Sequence, residues 1–263
     1  MITSLHSPHV EAVKALLGSR GVKERRERSQ FVVEGPTNVK AALDSKNVTI
    51  ESIYYTQGNL ERLGSFVHDN LIEVSEQVMK AMTDTVTPQG VLALAKLHRT
   101  SLSDISKIPG AKIAYFWQIQ DPGNAGTVIR AADAFGFDAV IFSDNSVDIY
   151  SPKVIRSTAG SIFQIKVVEE VATSDIKSFS ESINASIFTT KADGDEILQR
   201  AAKSALGKPS IWVFGNEARG LPNDVEKVLG ATTVSIPMSG KAESLNLATA
   251  ASVVMYAVSN ADK

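Results

Sequence analysis

Three segments combine acidic, basic, amide and hydroxyl side chains with glycines at the boundaries of regular structure. The first is QDPGNAGTVIRAADAFG, Gln120 to Gly136. Asp121-Pro122-Gly123 turns the chain, Asn124 stands where a helix cap belongs, and Arg130 follows among Val128, Ile129, Ala131 and Ala132. A cation in that apolar company either snorkels or works on an anion. The second segment is GNEARGL, Gly215 to Leu221, after the apolar run SIWVF. Gly215 allows a ligand to approach the backbone, Asn216 can bend the chain, and Glu217 and Arg219 form either a local ion pair or a reactive pair. The third is IPMSGKAESLNLATAASVVMYAV, Ile236 to Val258, a small-residue loop carrying Glu243 and Ser244 into an alanine-rich helix. None of the three is a dinucleotide fingerprint or a Walker A loop: G-x-G-x-x-G and G-x-x-x-x-G-K-[ST] are both absent.

Composition narrows the chemistry. The 263 residues are 43% hydrophobic and 21% charged, a globular balance with length for more than one domain. There is no cysteine, which removes disulfides, thiolate catalysis and cysteine-ligated metals. His6, His9, His68 and His98 lack metal-ligand spacing beyond the His6–His9 pair, so no metal is expected. The start MITSLHSPHVEAVK does not read as a signal peptide, and no apolar run is long enough to span a membrane. A cytoplasmic protein without membrane partners is expected. The net charge of -2 gives no global argument for nucleic acid. The local cluster of Lys14, Arg20, Lys23, Arg25, Arg26 and Arg28 reads as a solvated helix end or a phosphate-contacting patch.

The elements that must hold these segments follow an α/β rhythm. Residues 1–28 read as a helix with a basic end, then FVVEG as a buried strand, PTNVKAALDS as a helix with Pro36 in its first turn, and IESIYYT as a strand. GNLERLGSFVHDN reads as a helix, LIEVSEQVMKAMTD as a strand running into a helix, and GVLALAKL as a final strand. That small α/β unit spans 1–97, and the polar stretch 98–110 reads as a linker. From 111 to 263 strands are expected at 112–119, 139–143, 163–168, 186–190, 210–214 and 232–237. Helices are expected at 124–135, 152–157, 174–183, 197–203, 222–229 and 243–258. Near-continuous apolar strands such as Val140-Ile141-Phe142 point to a parallel sheet covered on both faces, where ligands bind beyond the C-terminal strand ends.

Together, DPGNAGTVIRAADAFG, GNEARGL and IPMSGKAESLNLATAAS resemble, in order and spacing, the three motifs of the SpoU (TrmH-like) family of RNA ribose 2′-O-methyltransferases, within the SPOUT class. FVVEGPTNVKAAL with VTPQGVLALAK resembles the ribosomal-protein-like (L30e-like) RNA substrate-binding domain of many members. The resemblance covers nearly the whole chain. It implies a C-terminal α/β domain with a deep trefoil knot, an exception to the rule against knots, and an S-adenosylmethionine pocket built by that knot. It also implies a homodimer through the C-terminal domain, with the active site near the interface.

The resemblance assigns roles residue by residue. Arg130 is the catalytic residue, with Asn124, Glu217, Ser244 and Asn246 around it. Gly215, Ile236 and Leu245 contact the methyl donor, with Thr189 as a further contact. A guanidinium stays protonated, so Arg130 suits holding a phosphate or a developing alkoxide better than taking a proton, and Glu217 would orient it or pass the proton. Arg25, Arg26 and Arg28 of the basic cluster, with Lys153 and Arg156 of YSPKVIRSTAG, are phosphate candidates. The expected substrate is structured RNA, ribosomal over transfer RNA. The alternatives are a non-catalytic RNA-binding or assembly protein of this fold, a transfer-RNA methyltransferase, and a different nucleotide-binding α/β enzyme.

Overall fold

The computed structural model describes residues 1–59 and 68–262. The expected helix GNLERLGSFVHDN falls largely outside them. Contacts divide the chain into two compact units, 1–99 with 148–164, and 100–147 with 165–263.

The first unit opens with α1 (Pro8–Ala15) and α2 (Gly21–Arg28), two helices where one was expected. Gly18 at φ 60 turns the chain between them, a conformation open to glycine without strain. β1 (Gln30–Glu34), α3 (Pro36–Leu43), β2 (Val48–Tyr55), β3 (Leu71–Glu73), α4 (Glu76–Ala81) and β4 (Val91–Leu97) follow. The sheet order is β1-β4-β2-β3, antiparallel except for the β2–β3 pair. Its core gathers Val10, Val13 and Leu16 with Val32, Tyr54, Val78 and Leu92. Spacing of three residues puts Val10, Val13 and Leu16 on one helical stripe.

The second unit begins inside the expected linker. Within α5 (Leu102–Ile105), Ile105 is fully buried in the core. The Ser101 N–H and hydroxyl donate to Asp104 at its start, at 3.0 and 2.7 Å, and that hydroxyl contact is the main reason the Asp104 pKa is lowered. Next come β5 (Lys112–Phe116), α6 (Pro122–Ala134) and β6 (Ala139–Phe142). The chain then contributes α7 (Pro152–Thr158) to the first unit before returning with β7 (Lys166–Val168), α8 (Thr173–Ser182) and β8 (Ser186–Thr190). Phe163, expected in a strand, instead ends a short 3-10 turn and stacks on Phe31 at 6.3 Å. The remaining elements are β9 (Glu196–Ile197), α9 (Leu198–Ser204), β10 (Ser210–Phe214), α10 (Asn223–Leu229), β11 (Thr232–Ser235) and α11 (Leu247–Ser259).

The seven strands are ordered β7-β6-β5-β10-β8-β11-β9, and every pairing is parallel. Apolar runs such as Ile211 to Phe214 are fully buried, because helices cover both faces of such a sheet. Burial pushes the Tyr115 phenol up to about 12, and its hydroxyl donates to the Val171 carbonyl at 3.2 Å. Among the described residues no helix is long and apolar enough to cross a membrane.

Candidate active site

The three chemistry-bearing segments all leave the C-terminal ends of parallel strands, the edge where open α/β sheets bind ligands. After β10, GNEARGL folds back on itself. Asn216 N–H donates to Gly220 O at 3.0 Å and Gly220 N–H to Asn216 O at 2.9 Å. The buried Asn216 side chain pins this turn: its Oδ1 accepts from the N–H groups of Ala218 and Arg219 at 3.0 and 3.2 Å, and its Nδ2 donates to Gln118 O at 2.7 Å. A Cβ on Gly215 would lie 2.4 Å from the Gly220 carbonyl carbon and the Leu221 nitrogen. Glycine is therefore required there by the loop's own fold-back as well as by any ligand.

The cap of α6 is a correction to the sequence reading. Asp121, not Asn124, caps this helix: its Oδ1 accepts from Asn124 N–H at 2.8 Å. That leaves the Asn124 side chain available, and it links the other two segments. Asn124 Nδ2 donates to Glu217 Oε1 at 3.3 Å, and Asn124 Oδ1 accepts from Asn246 Nδ2 at 3.3 Å. Asn246 is in turn the cap of α11, with Oδ1 accepting from Ala248 and Thr249 N–H at 2.9 and 3.3 Å. The cap fixes which end of Asn246 faces Asn124, and so which end of Asn124 faces the carboxylate. Helix α11 accordingly begins at Leu247 rather than at Glu243, and Glu243 and Ser244 lie in the preceding loop.

Glu217 also accepts from Gln120 N–H at 3.3 Å and Asp121 N–H at 3.3 Å. It clamps the turn ahead of α6 and makes no hydrogen bond to Arg130 among the described residues, so of the two roles expected for it, orienting Arg130 or passing the proton, the first has no contact behind it. Arg130 is exposed and, among the described residues, has no hydrogen-bond or ion-pair partner. Six positions along an α-helix rotate a side chain to a face about 120° away, which separates Arg130 from the Asn124 network. Arg219 is not paired with Glu217 either. Its Nη2 donates to Gln118 Oε1 at 3.0 Å, and its guanidinium lies 5.9 Å from the Trp117 ring centroid, within cation–π reach.

A cleft of about 220 Å³ opens between these loops. Gly215, Ile236 and Leu245 line it, as do Ser244 and Glu217. Thr189 is a correction: its side chain has no accessible surface and its Oγ1 has no hydrogen-bond partner. The adjacent Thr190 and Lys191 line the cleft instead. Side chains alternate across a strand, so a shift of one residue exchanges the interior for the cleft. Sequence reading also missed Asn216 as the pin of its loop. The signal was present, since an Asn directly after a strand-ending glycine suits an Asx-type turn.

The basic candidates separate. Arg25 is 4% exposed and its guanidinium is used up internally. Its Nε and Nη2 bind Asp148 Oδ2 at 2.7 and 2.5 Å, with further bonds to the Leu16 and Gly18 carbonyls. Arg156 is held by Glu34 at 2.9 Å and Asp84 at 2.5 Å. Both guanidiniums are thus engaged by carboxylates of their own unit. Arg26, Arg28 and Lys153 are exposed, with Arg28 paired to Glu24 at 2.7 Å.

Parallel α/β architecture with a glycine-bounded cleft beyond the strand ends places this unit in the class of open α/β sheets that bind ligands at the C-terminal strand edge. Comparison with known proteins makes this specific. Residues 111–256 match the SpoU rRNA Methylase family, and residues 8–93 match the MRM3-like substrate binding domain. The chain belongs to the SpoU rRNA methylase family. It is 31% identical over 245 residues to the 23S rRNA (guanosine(2553)-2′-O)-methyltransferase RlmP of Bacillus subtilis, covering 89% of this chain and 90% of that one. It is 28% identical to the 23S rRNA (uridine(2479)-2′-O)-methyltransferase of Streptomyces viridochromogenes, covering 92% and 86%. Among solved structures it is similar to an AdoMet-bound rRNA methyltransferase from Sinorhizobium meliloti, with TM-score 0.83, 29% identity and coverage of 98% and 96%.

Proposed function

We propose that this chain transfers the methyl group of S-adenosylmethionine to a ribose 2′-hydroxyl of ribosomal RNA. The observation that carries this reading is the Asn246–Asn124–Glu217 chain of hydrogen bonds, which ties the three motif loops together beside the cleft that Glu217 lines. The cleft fits the donor. It has no side chain at Gly215, apolar walls at Ile236 and Leu245, and polar atoms at Thr190 and Ser244. Gly215, Ile236 and Leu245 would hold the donor, largely through main chain. When bound, S-adenosylmethionine supplies an electrophilic methyl carbon.

The chain's own residues do the rest. A 2′-hydroxyl attacks well only once its proton is drawn away and its oxygen is aimed. Glu217, engaged by the Gln120, Asp121 and Asn124 donors, keeps the loop ahead of α6 in place. Ser244 stands at the cleft wall within this constellation. Arg130, exposed and without a hydrogen-bond or ion-pair partner among the described residues, is suited to holding the neighbouring phosphate and steadying the alkoxide oxygen as charge develops. The trefoil knot implied by the motifs belongs to the loops after β10 and β11.

Exposed apolar side chains on the C-terminal segment, Leu245 at 37%, Val253 at 38% and Tyr256 at 58%, support a homodimer through this unit. Ribosomal RNA is preferred to transfer RNA because two relatives that match over about nine-tenths of this chain, at 89% and 92%, carry 23S rRNA names. Arg26, Arg28 and Lys153 are the phosphate contacts, and the setting is the cytoplasm. Calorimetry with S-adenosylmethionine and with nicotinamide dinucleotides tests the donor assignment: binding of the former alone is expected, and binding of a nicotinamide cofactor instead would overturn it.

A further inference from the structure

The GNEARGL turn has two sides. Glu217 and Gly220 line the cleft of the second unit, while Arg219, between them, does not. Its side chain goes instead to the loop after β5. Nη2 donates to Gln118 Oε1 at 3.0 Å, and the guanidinium carbon lies 5.9 Å from the ring centroid of Trp117. An arginine only donates, so the oxygen of the Gln118 amide is the atom that faces it.

This seat is fixed by backbone. Gln118 has φ 49, a left-handed conformation uncommon for a residue with a side chain. Bonds to three other residues hold it there. Its N–H donates to Ser143 Oγ at 2.8 Å, and its carbonyl accepts from Asn216 Nδ2 at 2.7 Å and Gln120 Nε2 at 3.1 Å. Conformations of this kind persist where the surroundings over-determine them, and they cluster at ligand clamps. Here the result is an amide, not a carboxylate, set against Arg219.

The guanidinium is therefore oriented without being neutralised. Its Nε and Nη1 have no hydrogen-bond partner among the described residues, and the residue is exposed. Glu217, two positions away, is engaged by the Gln120, Asp121 and Asn124 donors. Other cations of this unit are met by carboxylates: Arg200 by Glu196 and Lys191 by Glu226, both at 3.3 Å. In the first unit, Arg156 lines a cleft of about 300 Å³ with Thr37, Thr87 and Gln89, and Glu34 meets it at 2.9 Å. An exposed guanidinium held in place without a carboxylate partner is a fork for an anion.

We propose that Arg219 grips a backbone phosphate of the substrate RNA at the rim of the methyl-donor cleft. This rests on the RNA-methylating reading above. Trp117 already stands on one side of the guanidinium, so what it has left to offer is charge and an N–H edge, which suits a phosphate better than a stacked base. Phosphate contacts set register, and this one places the acceptor strand against the turn that lines the cleft.

The test is filter binding of ribosomal RNA, extracted from cells lacking this chain, to the full-length protein across a range of salt concentrations. Arg219→Gln and Arg219→Lys are compared with wild type. Arg219→Gln is expected to flatten the slope of log affinity against log salt by about one, and to raise the RNA dissociation constant about fivefold or more at about 0.1 M salt. Arg219→Lys keeps the charge and should keep the wild-type slope. S-adenosylmethionine affinity and thermal unfolding should be unchanged in both. If Arg219→Gln unfolds, Gln118→Glu carries the test, since a carboxylate against the guanidinium should flatten the slope in the same way. A wild-type slope in Arg219→Gln overturns the proposal, whether affinity is kept or is lost on parallel lines as a stacked base would give. Weakened S-adenosylmethionine binding with RNA binding intact also overturns it, by placing the carboxylate of the methyl donor on Arg219. A wild-type protein that neither binds nor methylates this RNA overturns the parent reading, and this one with it.

Discussion

The two clefts are built by opposite means. The cleft of the second unit is lined by glycine and apolar side chains at parallel strand ends, with Thr190, Lys191, Glu217, Glu243 and Ser244 as its polar groups. The cleft of the first unit is walled by hydroxyls, amides and the Glu34–Arg156 ion pair. Backbone-lined clefts hold a ligand of fixed shape while tolerating changes in side chain. Side-chain-lined clefts discriminate, because every unmet polar group is a penalty against the wrong ligand. On the reading proposed above, the cleft of the second unit suits a donor of constant shape.

The largest effect expected is on Arg130. Arg130→Ala should lower single-turnover methyl transfer by about 10²–10³ or more, with S-adenosylmethionine and RNA affinities within a few-fold of wild type. Near-normal turnover would remove Arg130 from the chemistry. Next is Arg25, a buried cation whose loss strands Asp148. Arg25→Ala should cost about 3–5 kcal/mol in denaturant unfolding, and a change confined to RNA affinity would restore it as an RNA contact. A smaller effect is expected from Asn246→Ala, which removes both the α11 cap and the link to Asn124. Stability should fall by about 1 kcal/mol, and kcat should fall further than the cap alone explains. Asn246→Ser should rescue stability but not kcat, since its shorter side chain caps the helix without reaching Asn124.

The smallest effect is a pH response. The Tyr115 phenol is pushed up to about 12 in the fold and ionises near 10 when unfolded. Its contribution is therefore complete below about pH 10 and is lost as pH rises through the folded value. Tyr115→Phe should flatten the alkaline loss of stability in melts between those values. An unchanged alkaline limb would show that other groups govern it.

Much of this was legible in the sequence because strand patterning and motif order are local. The buried runs at Ala139–Phe142 and Ser210–Phe214 were placed to within a residue, and the three motif loops identified the cleft. What escaped was tertiary. Nothing in KERRER tells a buried arginine from exposed ones, since Arg25 is set apart by Asp148, 123 positions away. Thr189 and Thr190 differ by one step of strand alternation at a strand end, where the face is decided by how β8 is cut off. Asn124 was read as a cap because Asp121, three residues earlier, is an equally good one, and the structure uses the aspartate. Residues 148–164 gave no sign of leaving the unit that surrounds them in sequence, because such an excursion is decided by packing rather than by composition.

The central claim is tested most directly by incubating the purified chain with tritiated S-adenosylmethionine and ribosomal RNA from cells lacking it, then digesting the product with alkali. The account predicts label in an alkali-resistant dinucleotide, the mark of a methylated ribose 2′-oxygen, and no label with Arg130→Ala. Label on a base, or equal labelling by the variant, would contradict it.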